Sequence, residues 1–278
     1  MPAPSPAPPS TGPRETTRPI SVVTGGSEGI GLAIARLLVQ RGHDLLLVAR
    51  RPERLAAAAN EIGAAASVKV ATLPLDLTSP SACTLLDAEL ARLGAHVELL
   101  VNSAGVGQSG SFAEAEPQSI DGLVALNMAV PSRLMRHVLP GMRQRGRGGI
   151  LNVASLGGYV PGPYQATYYA SKAYLISLSE AVAAEVRQDG IRVTVVAPGP
   201  VNTEFHSKMN AESAFYRRFL PSATPERVAR WAVRGHELGL RVVVPGVLDG
   251  LGVVALKLLP HALLVPLMAW LLDPRRPA

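Results

Sequence analysis

From residue 20 onward, short runs of Val, Ile, Leu and Thr alternate with longer stretches rich in Ala and Leu. The runs at residues 20–24, 45–49, 68–73, 97–101, 150–154, 191–197 and 241–244 read as strands. Most are almost continuously apolar, as strands are when helices cover both faces of a parallel sheet. The stretches between them carry helix-start signals at Ser79-Pro80 and Thr224-Pro225, a capping side chain followed by proline at the first helical position. Seven strands alternating with helices, without an internal repeat, predict one α/β domain: a doubly wound, seven-stranded, mainly parallel sheet with helices on both faces.

The two ends depart from this pattern. Residues 1–19 hold seven prolines among Ala, Ser and Thr and lack the continuous apolar run of a secretory signal. They read as a disordered tail, either a solvated leader or a polyproline ligand. The domain then covers residues 20–245, and residues 246–278 form an apolar extension. Within it, residues 258–272 carry no formal charge but contain Pro260, His261 and Pro266, with Lys257 and Asp273 close on either side. A spanning helix needs about 20 apolar residues, so this segment is too short. It packs over the domain or against a second subunit, or it lies in the plane of a membrane surface.

Composition narrows the class. The chain has 278 residues, 47% of them hydrophobic and 17% charged, which supports a sizeable core and excludes disorder throughout. The single cysteine, Cys83, cannot form an internal disulfide, and a reducing cytoplasmic location is the expectation. The formal net charge of +6 is spread over short clusters, Arg41, Arg50, Arg51 and Arg54, then Arg133 to Arg147, then Arg275 and Arg276. Aromatic residues make up only 4%, and no nucleic-acid motif is present, so nucleic acid is not an expected partner.

A phosphate bound by a small cofactor explains part of this charge. Directly after the first strand comes Thr24-Gly25-Gly26-Ser27-Glu28-Gly29-Ile30-Gly31, followed by an apolar helix through Leu32, Ile34, Ala35 and Leu38. Glycines at 25, 29 and 31 permit a tight turn and close approach of a pyrophosphate, and the helix start supplies free N–H groups. A plain strand-to-helix turn could also use these glycines; their place between the first strand and first helix favours the anion. The second strand ends in Arg50-Arg51, where a carboxylate would select a free ribose 2′-OH and a cation the 2′-phosphate. NADP, as NADPH, is therefore expected over NAD, unless the pair is a surface feature opening the next helix. Asp44 lies at the wrong end of that strand to read the ribose.

The chemistry is concentrated after the fifth strand. Ser155 closes that strand, and Tyr168 stands four residues before Lys172 in the helix that follows, on one helical face. A phenol with a reference pKa near 10 is a poor proton donor or acceptor at neutral pH, and a neighbouring ammonium stabilises its phenolate. Such a pair suits proton transfer at a carbonyl or alcohol oxygen. Tyr159, Tyr164, Tyr169 and Tyr174 lack this spacing to Lys172.

In the order and spacing of these pieces, residues 20 to 245 resemble the short-chain dehydrogenase/reductase family, whose domain is a Rossmann-type fold. The family's glycine motif matches Thr24, Gly25, Gly29 and Gly31, and its loop implies cofactor contacts at Ser27, Glu28 and Ile30. Asp76, followed by Leu77, matches the acidic residue that contacts the adenine ring. Asn102-Ser103-Ala104-Gly105 stands where the family commonly has Asn-Asn-Ala-Gly. Pro198, Gly199, Val201 and Thr203 match the loop at the nicotinamide end. Asn127 matches the asparagine of the catalytic tetrad, with Ser155, Tyr168 and Lys172. The resemblance implies Tyr168 as general acid or base, Ser155 as hydrogen-bond donor to the substrate oxygen, and Lys172 on the nicotinamide ribose. It implies that Asn127 holds a water leading to solvent. The family's usual assemblies imply a homodimer or homotetramer, and no metal is assigned.

This sequence departs from the family at Ser103, which replaces the second Asn, and at Glu28, where many NADP-preferring members carry a cation. The phosphate preference then rests on Arg50, with Arg51 beside it. Phe205, Met209, Phe215, Tyr216, Phe219 and Leu220 suggest a lid over a hydrophobic ketone or 3-oxoacyl substrate, or else an ordinary covering helix. The competing function is a cofactor-binding regulatory or membrane-associated protein that kept the fold without catalysis.

Overall fold

The computed structural model describes residues 17–64, 67–205, 209 and 222–273. Its seven strands are β1 (Arg18–Thr24), β2 (Leu45–Ala49), β3 (Val70–Pro74), β4 (Ala95–Asn102), β5 (Gly148–Val153), β6 (Ile191–Val196) and β7 (Val242–Val243). They form one parallel sheet in the order β3-β2-β1-β4-β5-β6-β7, as expected from the apolar runs. β1 begins at Arg18, two residues before the expected start, because the Arg18 amide bonds the Gly94 carbonyl and its side chain pairs with Asp44.

Helices α1 (Gly29–Gln40), α2 (Pro52–Gly63) and α7 (Pro225–Glu237) pack on one face, and α3 (Ala82–Arg92), α5 (Val130–Arg145) and α6 (Ala166–Glu185) on the other. Strand residues divide between the two by alternation. In β2, Leu45 and Leu47 join the α1/α2/α7 cluster, while Leu46 and Val48 join the opposite one. Both faces are covered, which is why the sequence shows runs of Leu and Val in place of a polar alternation.

The strand order reverses between β1 and β4, whose strands run parallel, and this switch point opens a crevice at the carboxyl ends of the strands. Three strand-end polar residues stand in register there. Thr24 pairs with Asn102 and Asn102 with Asn152, and Asn102 Nδ2 donates to Asn152 Oδ1 at 2.8 Å. Asn152 in turn donates to Ser179 of α6, also at 2.8 Å.

Thr224 caps α7 as expected, its hydroxyl accepting from the Arg227 amide. Ser79-Pro80 does not open α3. The residues before Ala82 form a turn in which Ser79 N bonds the Asp76 carbonyl, and the helix starts two residues later than the Pro signal implies. The Ser79 hydroxyl is taken up within that turn, accepting from the Ser81 amide at 3.3 Å.

Beyond β7 lie α8 (Val247–Leu258) and α9 (His261–Leu272). Leu264, Met268 and Leu272 of α9 are buried with Val160, Tyr169, Leu256 and Leu259, so this helix packs beside the site. Among the described residues, no helix is long and apolar enough to cross a membrane. The expected tail, residues 1–16 at least, lies outside the described residues, as do Phe215, Tyr216, Phe219, Leu220, Arg275 and Arg276.

Candidate active site

A cavity of roughly 990 Å³ lies along the carboxyl ends of the strands. Its lining brings together Gly25, Ser27, Glu28, Gly29, Ile30 and Gly31 from the first loop with Arg50, Asp76, Leu77, Ala104 and Gly105. Ser155, Tyr168, Lys172, Pro198, Gly199, Val201 and Thr203 line the same cavity. Thr24, Asn102 and Asn127 are buried behind this surface.

The glycine loop has the shape that a large anion requires. Gly25 has φ +66°, and a Cβ there would stand 2.9 Å from Ala104 Cα; a Cβ on Gly31 would run into the Gly25 carbonyl. Thr24 ties the turn to the neighbouring loop: its Oγ1 donates to Val101 O at 3.1 Å and accepts from the amides of Ser103 and Ala104. No side chain caps the start of α1 and no carboxylate lies in its first turn, which leaves the first amides for an anion.

Charge around the loop differs from what the residue types alone suggest. Glu28, which stands where a cation was expected, accepts from Arg51 at 3.0 Å and from Arg54 at 2.5 Å. Its charge is offset by two guanidiniums, while Arg50 lines the cavity. Thr78 donates to Asp76 Oδ1 through both amide and hydroxyl, and these bonds, with the nearby Arg50 charge, hold the carboxyl below its ordinary pKa. A cradle closed to side chains and an uncapped helix start together fit the pyrophosphate of a dinucleotide, and Arg50 lines the same cavity.

Helix α6 carries Tyr168 and Lys172 on one buried face, with exposures of 9% and 7%. Lys172 Nζ donates to the Val153 carbonyl at 3.0 Å and lies 5.7 Å from the centre of the Tyr168 ring. Burial lowers its pKa to about 8. Ser155 lies two residues beyond the end of β5 and does not close the strand; it caps the short turn Leu156–Tyr159, accepting from the Gly157 amide at 3.1 Å. That amide fixes the hydroxyl oxygen as acceptor and leaves its proton to be given elsewhere.

Asn127 sits in a π-helical turn, Ala125–Ala129, between α4 (Pro117–Val124) and α5. Its side chain clamps Val106, donating to the carbonyl at 2.8 Å and accepting from the amide at 2.9 Å, and also donates to Ser171 at 3.1 Å. Pro131, four residues on, has no N–H to give the Asn127 carbonyl. A widened turn of this kind is a recurrent feature of functional helices.

Three features went unassigned in the sequence. Asn152, a lone amide in the run Ile150-Leu151-Asn152-Val153, anchors Asn102; its polarity among apolar neighbours was the available signal. Arg54, in the first turn of α2, reaches both Glu28 and Glu204, and spacing cannot show the latter contact across 150 residues. Gly107 faces Phe205 and Met209 so closely that a Cβ would meet the Met209 sulphur at 2.8 Å. Among the described residues, no cluster of three His, Cys, Asp or Glu is placed to hold a metal ion.

Residues 19–214 match the family described as short chain dehydrogenase. A relative named carbonyl reductase family member 4, from Xenopus laevis, is 32% identical over 76% of this chain and 88% of its own length. A relative named very-long-chain 3-oxoacyl-CoA reductase, from Laccaria bicolor, is 37% identical over 62% of this chain and 52% of its own length. Among solved structures, a short-chain dehydrogenase from Sphingobium yanoikuyae in complex with NADPH superposes with a TM-score of 0.75 at 31% identity. That match covers 88% of this chain and 97% of the other.

Proposed function

The chain belongs to the short chain dehydrogenase family, and from that premise we propose that it transfers hydride between NADP(H) and a carbonyl or secondary alcohol bearing a sizeable hydrocarbon portion. The observation that carries this reading is that Ser155, Tyr168 and Lys172 line the same cavity as the glycine loop and Arg50. When bound, the nicotinamide supplies hydride to the carbonyl carbon or accepts it from the alcohol carbon.

The side chains of this protein handle the proton and the charge. Tyr168 Oη gives its proton to the carbonyl oxygen in reduction and takes it back in oxidation. Ser155 donates to that same oxygen, where negative charge builds. The Lys172 ammonium favours the phenolate left on Tyr168 and holds the nicotinamide ribose. Asn127, fixed against Val106, holds the water through which the lysine reaches solvent. The complete set of three reacting groups favours catalysis over a purely regulatory role.

Substrate class follows from the walls. Phe205 stands with its ring 5.6 Å from that of Tyr168, Tyr169 packs edge-on to Tyr168, and Met209 is buried nearby. These apolar surfaces suit a long-chain ketone or a 3-oxoacyl compound, and the relative named as a 3-oxoacyl-CoA reductase agrees in kind. Arg50 supports NADP over NAD, the more so because Arg51 and Arg54 offset Glu28. In a carbonyl panel followed at the reduced-nicotinamide absorbance, NADPH should serve better than NADH. Arg50→Met should cut that preference by about 10- to 100-fold, the value of a charge-assisted bond of ~1.5–3 kcal/mol. An unchanged cofactor ratio removes Arg50 from the assignment, and no turnover with any carbonyl refutes the activity.

We read the outward side of the C-terminal helices as a contact surface for lipid or for a second copy in a homodimer or homotetramer. Leu251, Leu258, Leu263 and Trp270 are exposed there, although Leu264, Met268 and Leu272 already pack inward. Truncation after residue 258 should abolish flotation with anionic vesicles if lipid is the partner. It should instead lower the sedimentation coefficient if the partner is a second copy; no change in either measurement rejects the surface.

A further inference from the structure

Three successive residues, Thr203, Glu204 and Phe205, each engage a different wall of the cofactor cavity. Thr203 Cγ2 lies 3.4 Å from where a Cβ on Gly29 would stand, so it rests against the glycine loop. Glu204 Oε2 accepts from Arg54 Nη1 at 2.9 Å, and the same guanidinium nitrogen donates to Glu28 Oε2 at 2.5 Å. Phe205 places its ring beside that of Tyr168 and presses on Gly107. One arginine of α2 therefore links the phosphate loop to Glu204, whose next residue, Phe205, packs beside the reacting phenol.

We propose that the Arg54–Glu204 pair is a strap that holds residues 203–205 down across the cavity and sets how fast the bound dinucleotide leaves. The proposal rests on this cavity holding a nicotinamide dinucleotide, but not on its carrying a 2′-phosphate. A strap of this kind must open in each turnover, and the pair suits that role. Both side chains keep contact with water, at 42% and 59% exposure, so the bond is weak and screened by salt. Apolar packing of Phe205 alone would hold one end of the segment; the ion pair anchors the residue before it to a different element.

The test is the rate at which the full-length chain releases NADPH and, separately, NADH, measured by stopped-flow displacement. The proteins compared are the parent chain, Glu204→Gln, Arg54→Met and the double variant. Glu204→Gln should speed release of both cofactors by about two- to fivefold, the range that exposed ion pairs support. The gain should shrink at high salt and be smaller in the Arg54→Met background, where this partner is already gone. Unchanged release from Glu204→Gln overturns the strap, as does an equal gain in both backgrounds. A gain confined to NADPH also overturns it, because the pair would then be acting on the 2′-phosphate. If the parent chain binds neither cofactor, the cofactor reading has failed and the strap falls with it. That outcome is visible before any variant is made.

Discussion

Replacing Tyr168 with Phe should lower turnover by about 10²- to 10⁴-fold, the range of a lost general acid, while leaving NADPH affinity within about threefold. The substitution removes only the hydroxyl. The ring that packs against Phe205 and Tyr169 remains, so α6 and the cavity wall keep their shape. Lys172 keeps its bond to the Val153 carbonyl, which does not involve the phenol. A fall in the rate constant for turnover with little change in cofactor binding is the signature of a group acting in the reacting state alone. Single-turnover decay of NADPH absorbance with an accepted ketone, beside a binding titration, measures both quantities. Turnover within tenfold of the parent chain would show that another group donates the proton, and Tyr168 would then be a packing residue.

The expectation has force because the phenol is placed by elements that the sequence already specifies. The apolar runs, read with a period that allows burial on both faces, gave the seven strands to within a few residues at each end. The glycine spacing gave the loop, since only a residue without a side chain can pass Ala104 at Gly25. Tyr168 and Lys172 shared a face by helical spacing alone.

What the residues could not show was contact between distant segments. Glu28 looked like an obstacle to phosphate because its neighbours in sequence are Ser27 and Gly29; its partners Arg51 and Arg54 come from α2. Ser79-Pro80 looked like a helix start because capping chemistry and turn chemistry use the same residue types. Asp76 decided between them, by taking the Thr78 amide and hydroxyl and drawing the chain into a turn first. The π-helical turn at Asn127 gave no periodic signal, because five residues are too few to disturb the apolar pattern of the helices around it. In each case the missing information was the tertiary partner, and propensity gave way to it.

Lys172 offers an expectation that joins stability to function. Its ammonium is enclosed by α6, β5 and the cavity wall, and burial brings its pKa from 10.5 down to about 8. Folding thus disfavours the charged form. Between pH 8 and 10.5 the unfolded chain carries a proton that the folded chain has released, so stability rises as pH increases through that window. The shift corresponds to at most ~3 kcal/mol from this one group. Below pH 8 both states are protonated and the gain is absent. Lys172→Met should lack this rise. Urea unfolding of the cofactor-free chain at pH 7.5 and pH 10, compared between the two proteins, isolates the contribution from all other titrations. The same variant should lose about 10²-fold or more in turnover, because nothing then favours the phenolate of Tyr168. In the parent chain, activity that depends on the ammonium should decline above pH 8. Equal pH responses of stability in the two proteins would mean that the folded chain leaves this amine hydrated, and a hydrated amine could not act on the phenol through a dry cavity. The charge is costly to bury and useful for the same physical reason: little water surrounds it.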